Sequence, residues 1–484
     1  MSKNDREIRD AVPGRHQTHD AASLAFLLHC RDHALPERPT FTHGGIPAID
    51  PLTRNVPFHL GRVGSTEADA GEQPIRLTGP FERTFPCNSW AMHSAPSAGE
   101  NIAVLRKVRG LSQTALARQM GITLSYLSKI ETGLRPATPP NVAAAASALK
   151  VTTARIYGDP FADPSKQHEL MDALRTVVRR HTLPREDVPP PGELAASLQR
   201  AAQLRANTDY LKLLQLLPKL LGQVTATAME SEGDAVAWGQ VADVYSCAYA
   251  CAHRFRQPDL ADMIVSRQQW AAQQTWNPEA VAAAARNEAG TYQSAGEYSD
   301  GLAIIERAIV QYERTPGDDL ERVVHLGSLH LRGIVLASRH EDANATADHV
   351  RRAKAMAERI SGPDVLQHNL TFGQGNTALY ELAAQIELNH PDKAAEVAAP
   401  LLKNPPAGLK PSRVGRLAID AARAHLATKD LVGAEDALKY AFHVAPQMAE
   451  IHPMAREVLR VLWTLHQRSR PDLLAMAKRS GLAS

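Results

Sequence analysis

The feature that most constrains this chain is a recurring pattern of paired amphipathic helices across residues 193–484. A step of nine residues separates Tyr292 from the small residue Gly301, and the same step separates His425 from Ala434. Small residues let two helices cross closely, and one helix pair cannot bury its apolar face alone. The pattern therefore predicts an all-α array in which neighbouring helix pairs stack on one another.

Two further copies extend the array. One covers residues 379–402 with Ala394 at the small position, and a looser one covers residues 238–271. These copies resemble tetratricopeptide repeats, although the Trp and Gly of that repeat are mostly replaced by Ala here. The resemblance implies a superhelix with a concave surface.

Charge separates a second module from these repeats. Residues 97–160 hold eight basic and three acidic side chains, a local net charge of +5, whereas the whole chain carries +2. A basic module on a mildly acidic remainder indicates contact with a polyanion.

Within this basic module the sequence predicts five short helices. Ser112 and Thr123 are suited to cap the second and third helices, and Gly121 between them suits a turn that needs positive φ. The first helix is expected to bury three apolar side chains, Ile102, Leu105 and Val108.

Five motifs occur in order in this module: LSQ, LA, MGI, LSKIE and G-L-R-P. Together they resemble the helix-turn-helix domain of phage-repressor type, the Cro or XRE family, over about residues 99–158. The resemblance implies a domain at residues 96–160 that binds double-stranded DNA, with its third helix in the major groove.

The resemblance also assigns DNA contacts to the exposed side of that third helix and to its flanks. Leu124, Ser125 and Lys129 correspond to positions where family members touch bases, although a polar residue is common at Leu124. Lys129 can donate to guanine, Ser125 can bond most base edges, and Leu124 or Tyr126 can cover a thymine methyl. The full set of predicted DNA contacts is Gln113, Thr123, Leu124, Ser125, Tyr126, Ser128, Lys129 and Arg135.

The flanking contacts have a positioning role. Thr123 and Arg135 suit phosphates, and Gln113 suits a phosphate or the first base. In similar domains an Arg of the first helix pairs with the Glu that ends the third. The resemblance therefore implies a structural ion pair between Arg106 and Glu131.

The remaining segments are expected to connect or extend these two domains. Residues 1–95 lack a sustained period and are predicted to be disordered. Residues 161–192 are predicted to be a linker helix followed by a Pro-rich break. A hinge near Gly158–Pro164 would let the basic module swing relative to the repeats.

Motifs of the common enzyme classes are missing from the sequence. It has no Gly-x-Ser-x-Gly, phosphate-loop or His-Glu-x-x-His pattern, and Gly373 and Gly375 are interpreted as a turn into a helix with no strand before it. Cys247 and Cys251 are interpreted as part of a buried helix face, so no metal or cofactor is expected. The polar start and the lack of an apolar run of about 18 residues predict a cytoplasmic protein outside the membrane.

Two hypotheses remain open for the repeats. The whole architecture resembles peptide-responsive regulators, which implies that the repeats sense a peptide or small ligand. Four residues are candidates for binding it: Arg286, Asn287, Asn376 and Arg423. Alternatively, the repeats only dimerise or dock a protein partner. A homodimer is expected in either case, because one small module reads few base pairs.

Overall fold

The structure is a computed structural model that describes residues 96–158, 164–231, 233–317, 319–367, 369–466 and 470–482. The segment predicted to be disordered, residues 1–95, lies outside the described residues. Within them the chain forms 21 helices and one two-stranded sheet. The predicted all-α class, a five-helix domain followed by helical repeats, is confirmed.

The first five helices form the basic module. They are α1 (Ala98–Val108), α2 (Gln113–Gln119), α3 (Leu124–Glu131), α4 (Pro139–Leu149) and α5 (Thr153–Tyr157). Ser112 and Thr123 cap α2 and α3 as predicted, since the side chain of each accepts a hydrogen bond from the backbone amide three residues later. Gly121 has φ of 69°, which a residue with a side chain rarely adopts. Local sequence therefore determines where these helices begin.

Close contact between α1 and α3 depends on Gly99. A Cβ atom at this position would lie 2.0 Å from the carbonyl oxygen of Ile130. Ile102 is fully buried in the same core, but the expectation for Val108 is wrong, because its side chain is 77% exposed. A step of 100° per residue puts Arg106, not Val108, on the face of Ile102.

The remaining helices form the repeat region. They are α6 (Pro164–Arg179), α7 (Pro191–Ala206), α8 (Tyr210–Glu230), α9 (Ala235–Arg254), α10 (Pro258–Gln274), α11 (Pro278–Ala295), α12 (Tyr298–Glu313), α13 (Leu320–Arg339), α14 (Ala343–Glu358), α15 (Gln374–Glu387), α16 (Pro391–Lys403), α17 (Pro411–Ala427), α18 (Leu431–Val444), α19 (Pro446–Ile451), α20 (Pro453–Leu465) and α21 (Pro471–Arg479).

The helices pair as the sequence pattern predicts. The four predicted copies are α9 with α10, α11 with α12, α15 with α16, and α17 with α18, and the structure adds α13 with α14. Gly301 lies at a crossing, where a Cβ atom would come within 2.9 Å of Leu336. Ala434 and Ala394 are fully buried. The small positions therefore permit close helix packing.

The segment predicted as a linker contributes to the repeat core. On α6, Met171, Leu174 and Val178 are buried in one apolar cluster with α8 and α9. Its apolar face has the spacing expected of an amphipathic helix. This helix is thus a packed element of the repeat region.

A β-hairpin interrupts the helices. Strands β1 (Val365–Gln367) and β2 (Leu370–Phe372) pair antiparallel, with Leu366 opposite Thr371. The interpretation that no strand precedes Gly373 is therefore wrong. The strands have only three residues each, which is too short for a period-two pattern to be recognised. The carboxylate of Asp364 accepts hydrogen bonds from the backbone amides of Gly375 and Asn376 at 2.9 and 2.6 Å, which caps α15.

Contacts between early and late helices close the array on itself. The backbone amide of Tyr210, at the start of α8, donates to the side chain of Gln447 on α19 at 2.7 Å. Ile451 from α19 is buried in the same apolar cluster as α8 and α9. Among the described helices, none combines the length and the apolar character needed to span a lipid bilayer.

Candidate nucleic-acid interface and ligand cavity

Helix α3 exposes one side to solvent. Leu124, Ser125 and Lys129 are exposed, while Ser128 is half-buried. Leu127 and Ile130, on the opposite side, are fully buried in the core of the module. Burial of one side of α3 fixes the orientation of the other, so three side chains face outward from a rigid helix.

Tyr126 is held within the module. Its hydroxyl accepts a hydrogen bond from the side chain of Asn141 at 3.2 Å, and its ring packs against the core. The guanidinium of Arg135 lies 5.3 Å from the centre of this ring, a cation–π contact that keeps Arg135 beside α3. Tyr126 therefore orients Arg135 and has less freedom to reach a base than its position in the sequence implies.

The residues paired by the resemblance, Arg106 and Glu131, form a two-pronged ion pair. The Nε and Nη2 atoms of Arg106 donate to the two carboxylate oxygens of Glu131, both at 2.8 Å. Burial by itself raises the pKa of Glu131, but the hydrogen bonds from Arg106 and Gln113 outweigh it and leave the pKa lowered. The pair connects α1 to the end of α3.

Gln113 belongs to this ion-pair network. Its side-chain amide donates to Glu131 at 2.8 Å, and the residue is half-buried. The side chain is therefore engaged within the protein. The backbone amide of Gln113 opens α2, where helix geometry provides no internal acceptor, and it is the group left to meet a phosphate.

The surface of the module is basic. Among its basic side chains only Arg106 is buried, and the other seven are exposed. They are Lys107, Arg109, Arg118, Lys129, Arg135, Lys150 and Arg155. Because the carboxylate of Glu131 is buried in its ion pair, the positive charge faces solvent largely uncompensated, as binding to a polyanion requires.

Helix α20 holds the module against the repeats. The buried carboxylate of Glu457 accepts hydrogen bonds from the backbone amides of Ala98 at 3.4 Å and Ala137 at 3.2 Å. Arg460 donates to Glu457 at 3.0 Å and to the carbonyl of Pro96 at 3.1 Å. One carboxylate thus joins α20 to both the start of α1 and the loop before α4.

A second contact involves the turn between α11 and α12. Gly296 in this turn has φ of 92°, and a Cβ atom on it would lie 2.4 Å from the Cβ atom of Ala143 on α4. On α5, the hydroxyl of Thr153 donates to the carbonyl of Ser294. Arg256 donates to the carbonyl of Tyr157 at 2.8 Å and stacks on its ring.

These contacts bear on the predicted hinge. Most of the segment between Gly158 and Pro164 lies outside the described residues. The module before this segment contacts α20, the α11–α12 turn and Arg256. The structure therefore shows the module in a docked arrangement.

A cavity of about 840 Å³ lies between the module and the repeats. The module contributes residues of α4 and α5 to its wall, including Val142, Thr153 and Tyr157. The repeats contribute side chains of their inner helices, and the β-hairpin contributes Leu366 and Thr371. Both domains therefore contribute to the wall of the cavity.

Three of the four predicted ligand residues line this cavity: Arg286, Asn287 and Asn376. Asn287 is 3% exposed, and its side-chain amide donates to Ser246 at 3.1 Å and to Gln268 at 2.8 Å. Both of its amide hydrogens are therefore used within the protein. The Nδ2 atom of Asn376 donates to the carbonyl of Thr371 at 2.7 Å, while its Oδ1 atom is buried without a partner among the described residues.

Arg423, the fourth candidate, does not line the cavity. Its guanidinium forms buried ion pairs with Asp420 and Glu387, both at 3.1 Å. Glu387 also pairs with Arg339 at 3.6 Å. Arg423 therefore holds α15 and α17 together and drops out of the candidate ligand site. Sequence position alone could not distinguish it, because its partner on α15 lies 36 residues away.

Several residues that line the cavity were not predicted from the sequence as ligand contacts. Arg332 on α13, Tyr380 on α15 and Arg413 on α17 face it together with Arg286 on α11. No motif joins them, because each lies on a different helix. The repeat pattern could have indicated them, because each of these four residues lies on the first helix of a pair. That helix faces the inside of such an array.

Comparisons with known proteins identify the module. A family model described as Helix-turn-helix matches residues 102–156, and these residues form a helix-turn-helix domain. A search of the curated proteins found no match to the sequence.

Several solved structures are similar along most of their length. Bacillus thuringiensis PlcR, in complex with the peptide PapR7 and DNA, has 13% identity over 74% of this chain and 99% of that chain, with a TM-score of 0.25. The competence regulator ComR from Streptococcus vestibularis has 11% identity over 67% and 97%, with a TM-score of 0.27. The PrgX/iCF10 complex has 10% identity over 69% and 90%, with a TM-score of 0.25.

Proposed function

We propose that this protein is a sequence-specific DNA-binding transcriptional regulator whose helical repeats sense an effector. The helix-turn-helix domain at residues 102–156 supports the DNA-binding part. Support also comes from the exposed Leu124, Ser125 and Lys129 on α3 and from the seven exposed basic side chains of the module, of which Lys129 is one. Lys129 would read a base edge, and Arg135 would hold a phosphate.

The observation that carries the sensing part is the composition of the cavity wall. Val142, Thr153 and Tyr157 of the DNA-binding domain share the cavity with Arg286 and Asn287 of the repeats. A ligand can change DNA affinity only if it binds two arrangements of the protein with different affinity. A ligand that touches both domains would favour one docking arrangement over another, and coupling of this kind typically amounts to about 1–3 kcal/mol.

The alternative is that the repeats only dimerise or dock a partner. A flat apolar patch would favour that role, whereas a cavity lined by arginine, tyrosine and asparagine favours a sensor. Mapping the bound DNA across the genome, with the genes beside each site, gives the operator needed for the tests below.

Substitution of Lys129 tests the reading helix. Lys129→Ala should weaken binding to the operator by about 1–3 kcal/mol and relax the choice of base at one position, because it removes one base contact. Arg135→Ala should weaken specific and random duplexes about equally. Fluorescence anisotropy with both kinds of duplex measures this.

Lys107→Ala is the matched control, since it removes the same exposed charge from α1. It should leave the choice of base unchanged. If Lys129→Ala binds the operator like the unaltered protein, α3 does not read the sequence through Lys129.

A further inference from the structure

We propose that the cavity binds an organic anion with two or more carboxylate or phosphate groups, and that Arg286, Arg332 and Arg413 hold one of these groups. This inference rests on the proposed function, because the anion would be the effector that the repeats sense. It narrows the effector to one chemical class.

The first support is the charge of the cavity wall. Nine basic side chains line it against four acidic ones, Asp262, Glu288, Glu297 and Asp420. The basic residues are Arg205, Arg254, Arg256, Arg286, Arg332, Arg339, Lys410, Arg413 and Arg416. A concave surface with such an excess of one sign attracts ligands of the opposite sign.

Two of these acidic groups are engaged elsewhere. Asp420 accepts from Arg416 at 2.6 Å and from Arg423 at 3.1 Å, so its charge is already shared by two cations. Glu288 accepts from Gln269 at 2.6 Å, and burial raises its pKa against the opposing effects of Arg307 and of this hydrogen bond. Neither carboxylate forms an ion pair with Arg286, Arg332 or Arg413.

Arg286, Arg332 and Arg413, which we call the arginine cluster, form no ion pair with any described residue. Arg286 is 8% exposed and donates only to the neutral carbonyl of Ser328 and the hydroxyl of Tyr380, at 3.2 and 3.4 Å. The Nε atom of Arg332 is buried without a hydrogen-bond partner. Arg332 and Arg413 are half-buried. The uncompensated charge of the buried Arg286 is costly, and a bound anion would reduce that cost.

The positive charge of the arginine cluster changes the pKa of Tyr380. Burial alone raises the pKa of this phenol, but Arg413, Arg286, Arg332 and Arg416 outweigh burial and bring the pKa to about 7. Burial, together with the nearby charge of Arg332, lowers the pKa of Arg286 to about 9. Arg286 therefore stays protonated at neutral pH. The site is positive enough to stabilise a negative charge on a tyrosine, as it would on a ligand.

The volume of the cavity limits the size of the ligand. Its volume of about 840 Å³ lies within the range of about 300–1,000 Å³ that holds a small organic ligand or a short peptide. The basic side chains come from α7, the end of α9 and the turn after it, α11, α13 and the start of α17 with the residue before it. A ligand with two separated anionic groups would therefore meet cations at both ends.

Direct titration of the full chain without DNA tests the class of ligand. The probes are citrate and a peptide of four aspartates, and the neutral counterparts are the triamide of citrate and a peptide of four asparagines. Calorimetry should show binding of at least one anion and of neither neutral molecule. Citrate alone would indicate a small acid as the source, and the peptide alone an acidic peptide. If neither anion binds more tightly than its neutral counterpart, the inference is overturned.

Substitutions locate the anion. Arg413→Gln should weaken binding of the anion by about ten- to a hundredfold, the effect of losing a charge-assisted hydrogen bond. Arg314→Gln is the matched control, because Arg314 is an exposed arginine just after the end of α12 and does not line the cavity. Equal losses in the two variants, or none in Arg413→Gln, would contradict the assignment.

The absorbance of Tyr380 in the unaltered protein gives a test of anion binding that does not require the arginine variants to fold. At about pH 8 the phenolate absorbance should fall when citrate is added, because a nearby anion returns the proton to Tyr380. The change should be missing in Tyr380→Phe. Operator binding is measured separately, so a chain that binds DNA but no anion refutes this inference and leaves the DNA-binding proposal intact.

Discussion

At the scale of single residues, buried polar groups in the repeats carry a measurable cost in acid. His330 and His349 are buried with their Nδ1 atoms 3.0 Å apart. Burial is the main cause that lowers the pKa of His330 to about 3, with His349 and Arg352 acting in the same direction and Asp348 opposing them. In the unfolded chain a histidine binds its proton near pH 6.5. Between pH 6.5 and 3 the unfolded state therefore holds more protons than the folded state.

The sign of the resulting prediction follows from proton linkage. The free energy of unfolding should fall by about 1.4 kcal/mol per pH unit below pH 6.5 for this histidine. Urea titrations between pH 7 and 4 measure the slope. His330→Gln should reduce it, whereas His340→Gln, at an exposed position, should leave it unchanged. A slope that is the same in all three proteins would show that His330 is not buried as described.

At the scale of elements, α20 determines how the helix-turn-helix domain is seated. Glu457 is 5% exposed and contacts two separate backbone amides of that domain. The α11–α12 turn adds a steric contact, because Gly296 leaves room for Ala143. Helix α20 thus acts through the side chains of Glu457 and Arg460, and the turn acts through the small size of Gly296.

Glu457→Gln should weaken this seating by about 1–3 kcal/mol, because a charged acceptor is replaced by a neutral one. Hydrogen exchange should show faster exchange of the amides of Ala98 and Ala137, with the repeat core unchanged. Glu450→Gln is the control, since Glu450 pairs with Arg479 on α21. Unchanged exchange at both amides would mean that the contacts of Arg256 and Gly296 are sufficient.

At the scale of the whole molecule, the number of DNA-binding domains limits specificity. The described chain contains one helix-turn-helix domain, and one such domain reads only a few base pairs. We expect a homodimer, joined mainly through the repeats, on a pseudo-palindromic operator. Half-sites should be separated by about one helical turn of DNA or a multiple of it. Light scattering of the full chain and footprinting on the mapped operator test this. A monomer at micromolar concentration that protects one half-site would contradict it.

The sequence alone determined the features that depend on neighbouring residues. Caps at Ser112 and Thr123, the turn at Gly121 and the small residues at Gly301 and Ala434 are local, so the helices and their pairing were predictable. Only tertiary structure decided which side chains meet across long separations in the chain. It enclosed Arg286, Arg332 and Arg413 around one cavity, and it paired Arg423 with Glu387 instead. The physical reason is that a helix period states which face of each helix is buried, whereas the curvature of the stacked array decides which faces meet.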